Sequence, residues 1–298
     1  MLSFSMLLGL ASGCGSSELA APSPSDEVPV VVAPATHRSV PRPPQLSRAE
    51  PVLWVALQDH LGSHPAAMPL QLSSAGAPLT LEDGAGRSWT SASFTVRWQS
   101  VALPEPVTLA RRIAGPFASF DSAERVAQRW RALGVTVSVA HPNEWEVWAP
   151  QGSMVPEGAQ VRDWTRRVHA TVEPTLETPE GVQPIKGPLH IAAPDGLRWN
   201  RGVFRGPFRL QPDAYGSWTL IEQVAVERYL EGVVPHEIGA SSPVAALQAQ
   251  TVLARTWALA NSHRFNIDGY HLCSDTQCQV YSDPRSAGAA VRQAITAT

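Results

Sequence analysis

The stretch from Pro243 to Asn261 constrains the fold more than any other part of the chain. Ala245, Ala246, Leu247, Ala249, Val252, Leu253, Ala254, Trp257, Ala258 and Leu259 cover most of a helix circumference. A helix that is apolar on nearly all sides belongs in an interior, so this one is expected to be the buried central strut of a domain. Ser242 followed by Pro243 supplies an N-cap and a proline at the first helical position. The polar exceptions are Gln248, Gln250, Arg255 and Thr256, and once buried each needs a partner. At 298 residues and 44% hydrophobic, the chain has material for one or two cores around such a strut.

The surroundings of that helix read mostly as strands. Pro51 to Leu57 is a short apolar strand, and Pro78 to Val101 alternates around the turn signal Asp83-Gly84. Residues 112–149 read β-α-β. A strand ends at Gly115-Pro116-Phe117, and Asp121 or Ser122 caps a helix through Gly134 with Val126, Trp130 and Leu133 on one face. Strands at Val135–Val139 and Trp145–Trp148 follow. Arg162 to Thr178 is mixed and polar, a loop or edge strand, and Pro188 to Val224 returns to short strands. The fold class is therefore α+β: an antiparallel β region with a small β-α-β block, followed by a helical core around one buried helix. The expected division is 51–178 for the β-rich region and 188–298 for the helical domain.

The beginning of the chain reads as an address. Leu2 to Ala11 is apolar but too short to span a bilayer, and Ser12-Gly13-Cys14 has the small residues of a cleavage site. Residues 1–14 resemble a bacterial lipoprotein signal, with Cys14 as the lipidated residue and a membrane tether. A secretory peptide without lipid and a meaningless apolar start are the alternatives. Residues 15–50 are rich in Pro, Ala and Ser and are expected to be a disordered or polyproline-like tether. The first two readings place the protein outside the cytoplasm, in the cell envelope. A net charge of −3 argues against nucleic acid as a default partner.

The chemistry concentrates between Val226 and Tyr281. A short helix over 225–232 leads to Pro235-His236-Glu237, expected as a turn between two helices, from which Glu237 reaches a substrate. The plain alternative for Glu237 is a capping or ion-pairing carboxylate. Glu227 and Glu231 lie one turn apart on the first helix and read as a solvated face. Most of the ten tryptophans read as core filling.

The order Tyr229-Leu230-Glu231-Gly232-Val233-Val234-Pro235-His236-Glu237, Ala246-Leu247-Gln248-Ala249-Gln250, Ala254-Arg255-Thr256 and Cys273…Cys278-Gln279-Val280-Tyr281 resembles the SpoIID/LytB family of stage II sporulation protein D and amidase-enhancer proteins. The resemblance is strong from about Pro188 to the end and weak over 51–110. It implies peptidoglycan remodelling, either as a lytic transglycosylase cleaving glycan strands or as a non-catalytic enhancer of an N-acetylmuramoyl-L-alanine amidase. Glu237 matches the family's essential glutamate, with Ile238 where the family has methionine. A single carboxyl then serves as acid and base, which requires a raised pKa; Val233, Val234 and Ile238 are the expected apolar surroundings. The resemblance also implies further strands after Thr298, so 188–298 is expected to be truncated. Residues 111–149 resemble the sporulation-related repeat, a small peptidoglycan-binding module.

The remaining site expectations are less specific. Arg255 forms a buried ion pair or binds a substrate carboxylate, and His236 assists at the substrate. Cys273 and Cys278, with His271 or His263, have spacing suited to a structural zinc ion, and the family implies a Cys/His metal site in some members. Gln277 stands where the family often has histidine. With Cys14 used for lipid, the same two cysteines make an even pair for a disulfide, and free thiols are the third reading.

Overall fold

The computed structural model describes residues 34–298. The Cys14 signal and the first part of the expected tether lie outside the described residues. One sheet has seven strands in the order β15 (Leu272–Cys273), β1 (Val52–Leu61), β14 (Trp218–Ala225), β13 (Phe208–Pro212), β10 (Leu189–Ala192), β3 (Leu79–Glu82) and β4 (Ser88–Ser91). The other runs β12 (Gly202–Phe204), β11 (Leu197–Trp199), β2 (Leu70–Ser74), β5 (Ser93–Phe117), β7 (Trp145–Pro150) and β6 (Ser138–Ala140). In that second sheet β8 (Val161–Thr178) pairs along β5, and β9 (Gly181–Pro184) pairs with β8. The helices are α1 (Phe120–Ala132), α2 (Val226–Ile238), α3 (Val244–Asn261) and α4 (Ala289–Thr296). The class is α+β.

Both sheets draw strands from both halves of the sequence. β1 pairs with β14, β3 with β10, and β2 with β11. The boundary expected between 178 and 188 is therefore not a boundary of the fold, and residues 34–298 form one unit. The apolar run Leu53–Leu57 shows why: Leu53, Val55 and Leu57 enter the main core while Trp54 and Ala56 enter a second one under α1. A strand buried on both faces reads as continuous rather than alternating. Six tryptophans (Trp54, Trp98, Trp130, Trp145, Trp148 and Trp218) are buried core residues. In α1 the cap is Ser119, whose Oγ accepts from the Ser122 N–H at 3.3 Å. Val126 and Trp130 are buried there, and Leu133 is exposed.

The long helix departs from expectation. Only Leu247, Thr251, Ala254 and Ala258 are buried in α3, one stripe at spacings of four, three and four. Val252 is 47% exposed and Leu253 64% exposed. Its many alanines make the helical wheel look apolar all round, but they present little area for a neighbour to cover. α3 is thus a surface helix packed on α2 and α4, not a buried strut. Its N-cap also differs. The residue before the first helical position is Pro243, without a side-chain cap, and the Ser242 hydroxyl donates instead to the Ile238 carbonyl at 2.7 Å.

Residues 34–50 depart from a free tether. This segment lies extended against the domain, fastened by its own carbonyls. Ala35 accepts from Ala110 N–H at 3.0 Å, Thr36 from Arg111 at 3.0 Å and Pro41 from the Gln211 amide at 3.3 Å. An extended proline-rich chain has no internal hydrogen bonds, so its acceptors are open to a neighbour. Among the described residues, no helix is long and apolar enough to cross a membrane.

Candidate active site

The expected Pro-His-Glu turn is helix. α2 continues through Pro235 to Ile238, because proline has helical φ and forfeits one backbone bond rather than the whole turn. The last turn closes when Gly239 N–H donates to the Pro235 carbonyl at 3.1 Å. Gly239 has a φ of +87°, a conformation that glycine adopts without a Cβ penalty. Glu237 is therefore carried on the final turn of a packed helix, with its side chain exposed. Val233 and Val234 point into the core beneath, and Ile238 is itself exposed. The expected apolar enclosure of the carboxylate by these three residues is absent, since each follows the helix face its own position dictates.

The partner of Glu237 comes from the loop after β15. Val280 N–H donates to Glu237 Oε1 at 2.9 Å. The same loop packs Tyr281 against Tyr229 of α2, with ring centroids 5.0 Å apart and stacked. Tyr229 in turn donates to Gln279 Oε1 at 3.3 Å. Burial, and then the charge of Glu237, hold the Tyr229 phenol above its ordinary range. Ser282 N–H reaches the Gly232 carbonyl at 3.0 Å. A Cβ at position 232 would meet the Tyr281 ring at 2.4 Å, so only glycine lets helix and loop approach this closely.

A second carboxylate, Glu222 on β14, underlies this loop and has no signal in the sequence beyond its place in an apolar strand. It is fully buried. It accepts from Arg205 N–H at 3.1 Å, Gly206 N–H at 3.0 Å and the Tyr281 hydroxyl at 2.8 Å. Burial raises its pKa, and these donors oppose the rise. Saturated and enclosed, Glu222 supports the loop and offers nothing to a ligand. Of Glu222 and Glu237, Glu237 is the accessible carboxyl, with one oxygen positioned by a backbone donor.

The other expected site residues divide. His236 is adjacent and exposed; its Nδ1 contacts the Gly232 carbonyl at 2.8 Å and its Nε2 lies 3.5 Å from Ser286 Oγ. Arg255 is engaged elsewhere. It holds Glu227 with a two-pronged pair of 3.0 and 2.7 Å and also donates to Ile295 O and Thr298 Oγ1. That places it at the opposite end of α2, about 15 Å along the axis from Glu237. Of the two readings for Arg255, the geometry shows the ion pair, and Glu227 is its partner rather than part of a purely solvated face.

The zinc donors do not fit a metal. Cys273 and Cys278 form a disulfide. His271 uses both nitrogens on backbone: Nδ1 accepts from Trp54 N–H at 2.9 Å, and Nε2 lies 3.2 Å from Pro44 O. The His263 ring packs on the edge of Phe120 instead. Gln277, at the position where the family often has histidine, accepts from Trp145 Nε1 at 3.2 Å and ties the loop to the β-α-β block. Among the described residues, no cluster of three or more His, Cys, Asp or Glu could hold an ion.

The profile of the SpoIID family, described as Stage II sporulation protein, matches residues 214–298, the segment that carries β14, α2, α3 and the Glu237 loop. Residues 214–298 are similar to the SpoIID family. An uncharacterized protein of Brachyspira hyodysenteriae is 34% identical over 110 residues, covering 35% of this chain and 28% of the relative. The chain therefore matches under a third of that relative's length. No solved structure matches. Within that segment, Glu237 stands on α2 and its Val280 donor two residues beyond the disulfide-closed loop Cys273–Cys278.

Proposed function

We propose that the protein remodels peptidoglycan as a lytic transglycosylase, with Glu237 as the acid and base. The observation that carries this reading is the pairing of an exposed carboxyl on a rigid helix with a fixed backbone donor, inside the segment matched by the SpoIID profile. With Oε1 held by Val280, Oε2 is left to meet a glycan strand at the surface. As an acid, Glu237 protonates the leaving glycosidic oxygen. As a base, it then takes the proton from the primary hydroxyl of the muramic acid, whose oxygen closes an anhydro ring without water. A buried and saturated Glu222 is consistent with a one-carboxyl route rather than the paired carboxylates of most glycosidases. The 111–149 block would hold the glycan near this carboxyl, and the extracytoplasmic setting follows from the same substrate.

One observation favours the second reading, a non-catalytic cell-wall protein that enhances an amidase: the carboxyl lacks the apolar enclosure that acid catalysis favours. The deciding experiment incubates the protein and Glu237→Gln with denuded glycan strands and analyses products by mass spectrometry. Anhydro-ended fragments from wild type, lost by at least about a hundredfold in the variant, support catalysis. No fragments from wild type, with stimulation of an added amidase, establishes the enhancer.

A further inference from the structure

A second site lies away from Glu237, where the extended segment 34–50 crosses β5 and β8. Arg38, Arg111 and Arg166 line one cavity of about 210 Å³ together with Trp164, Tyr215 and Gly216. No acidic residue lines it. None of the three arginines has a carboxylate within 4 Å among the described residues, although ten other ion pairs do form. Glu173 and Asp213 act on Arg38, and Glu146 on Arg111, only at longer range, so an anion entering the cavity would meet three guanidinium groups without a contacting carboxylate to displace.

Two of the arginines, Arg111 and Arg38, are also held in place. The Arg111 guanidinium lies between two indoles, 3.4 Å from the centroid of Trp148 and 3.8 Å from that of Trp164, and Nη1 donates to Thr36 O. Its Nε is buried without a partner. Burial brings its pKa down to about 10, and burial lowers that of Arg38 as well. Arg38 lies flat on Gly216, where a Cβ would stand 3.2 Å from Cζ. A planar, preorganised guanidinium fork matches carboxylate and phosphate oxygens.

A second hollow of about 300 Å³ adjoins the first, sharing Arg38, Leu109 and Val168 and adding Leu103 and Val107. Its walls are mainly apolar, with Ala35 and the aliphatic side chains beside His37, Ser39 and Thr171. We propose that the two hollows form one binding site for a ligand with an oxyanion head and a short apolar extension, the head held by Arg38, Arg111 and Arg166 and the extension lying along Leu103, Val107 and Leu109. This site is independent of the Glu237 chemistry. The shared ligand chemistry has two sources, the terminal carboxylate of a short apolar peptide and an alkyl phosphate.

The test is calorimetric titration of the full chain with N-acetyl-dialanine, the same dipeptide as its C-terminal amide, and octyl phosphate. The carboxylate or the phosphate should bind, with an affinity that falls as salt is raised. The amide should bind at least about tenfold more weakly. Arg166→Gln, at an exposed position, and Arg38→Gln should each weaken binding about tenfold with the circular dichroism spectrum unchanged. Binding of the peptide but not the phosphate names a carboxylate source, and the reverse names a phosphate. Failure of both anions to bind, or equal binding of wild type and the Arg38→Gln/Arg166→Gln double variant, overturns the site and leaves Arg111 as a packed spacer between indoles.

Discussion

The Tyr281 hydroxyl donates to Glu222 across 2.8 Å, joining the loop that positions Glu237 to a buried strand beneath it. One residue earlier in the loop, the Val280 N–H holds the exposed carboxyl. A buried acid thus supports an exposed one through two consecutive residues, and the placement of the exposed carboxyl depends on a bond buried beneath it.

Tyr281→Phe tests that dependence. It leaves the stacking on Tyr229 in place and removes one of three donors from a fully buried carboxyl. A buried acceptor losing a partner costs about 1–3 kcal/mol. Thermal unfolding should show the variant less stable than wild type, and any strand cleavage should fall with it. An unchanged melting temperature would show that the hydroxyl contributes nothing to holding the loop.

The cysteine pair makes a second prediction. Because Cys273 and Cys278 are bonded to each other and His271 is committed to backbone, a chelator should leave the melting temperature unaltered. The intact chain should weigh two hydrogens less than the reduced one. Closing so short a loop stabilises by about 2 kcal/mol on chain-entropy grounds, so reduction should lower stability by that order and loosen the Val280 donor. About one zinc per chain by elemental analysis would reverse the assignment.

Arg255→Ala separates structure from substrate binding. The pair with Glu227 is half open to water, with side-chain exposures of 19% and 54%, so screening limits its contribution to about 1 kcal/mol. Stability should drop by that amount while KM for glycan strands stays within about twofold of wild type. A KM increase of about tenfold or more with unchanged stability would return Arg255 to the substrate.

Much of this arrangement was legible in the residues. The α+β class, the strand at 51–57, the α1 stripe of Val126 and Trp130, and the motif that places Glu237 in a SpoIID segment all follow from local pattern. What was not legible depends on pairing across the chain. Period and composition do not report that β1 sits between β14 and β15, so the domain boundary at 178–188 looked natural. Alanine scores as apolar whether or not anything covers it, which made α3 look buried. Pro235 signals a break, but its φ suits a helix whose next turn is anchored by Gly239. Glu222 meets the Tyr281 hydroxyl 59 residues further along the chain, and the Arg38, Arg111 and Arg166 cluster spans 128 residues (166 minus 38), so no short window contains either.

One part of the pH response follows from His271, beside His37, His141 and His190, whose pKa values burial also lowers. Its ring accepts from Trp54 N–H, a role open only to neutral imidazole. Burial lowers its pKa, while the Pro44 carbonyl opposes the shift. The folded state therefore binds this proton less readily than the unfolded state, whose value is near 6.5. The stability it contributes is present above that value and is lost as pH falls through the lower folded value. The buried carboxyls Glu222 and Asp268 have raised values and act with the opposite sign, losing stability as pH rises above the ordinary carboxyl range. Comparing wild type with His271→Asn cancels those contributions, since asparagine still offers an acceptor to Trp54 but does not titrate. Between pH 7.5 and 5 the melting temperature of wild type should fall more steeply than that of the variant, and the two curves should converge at the acid end. Parallel curves would show that the proton binds elsewhere.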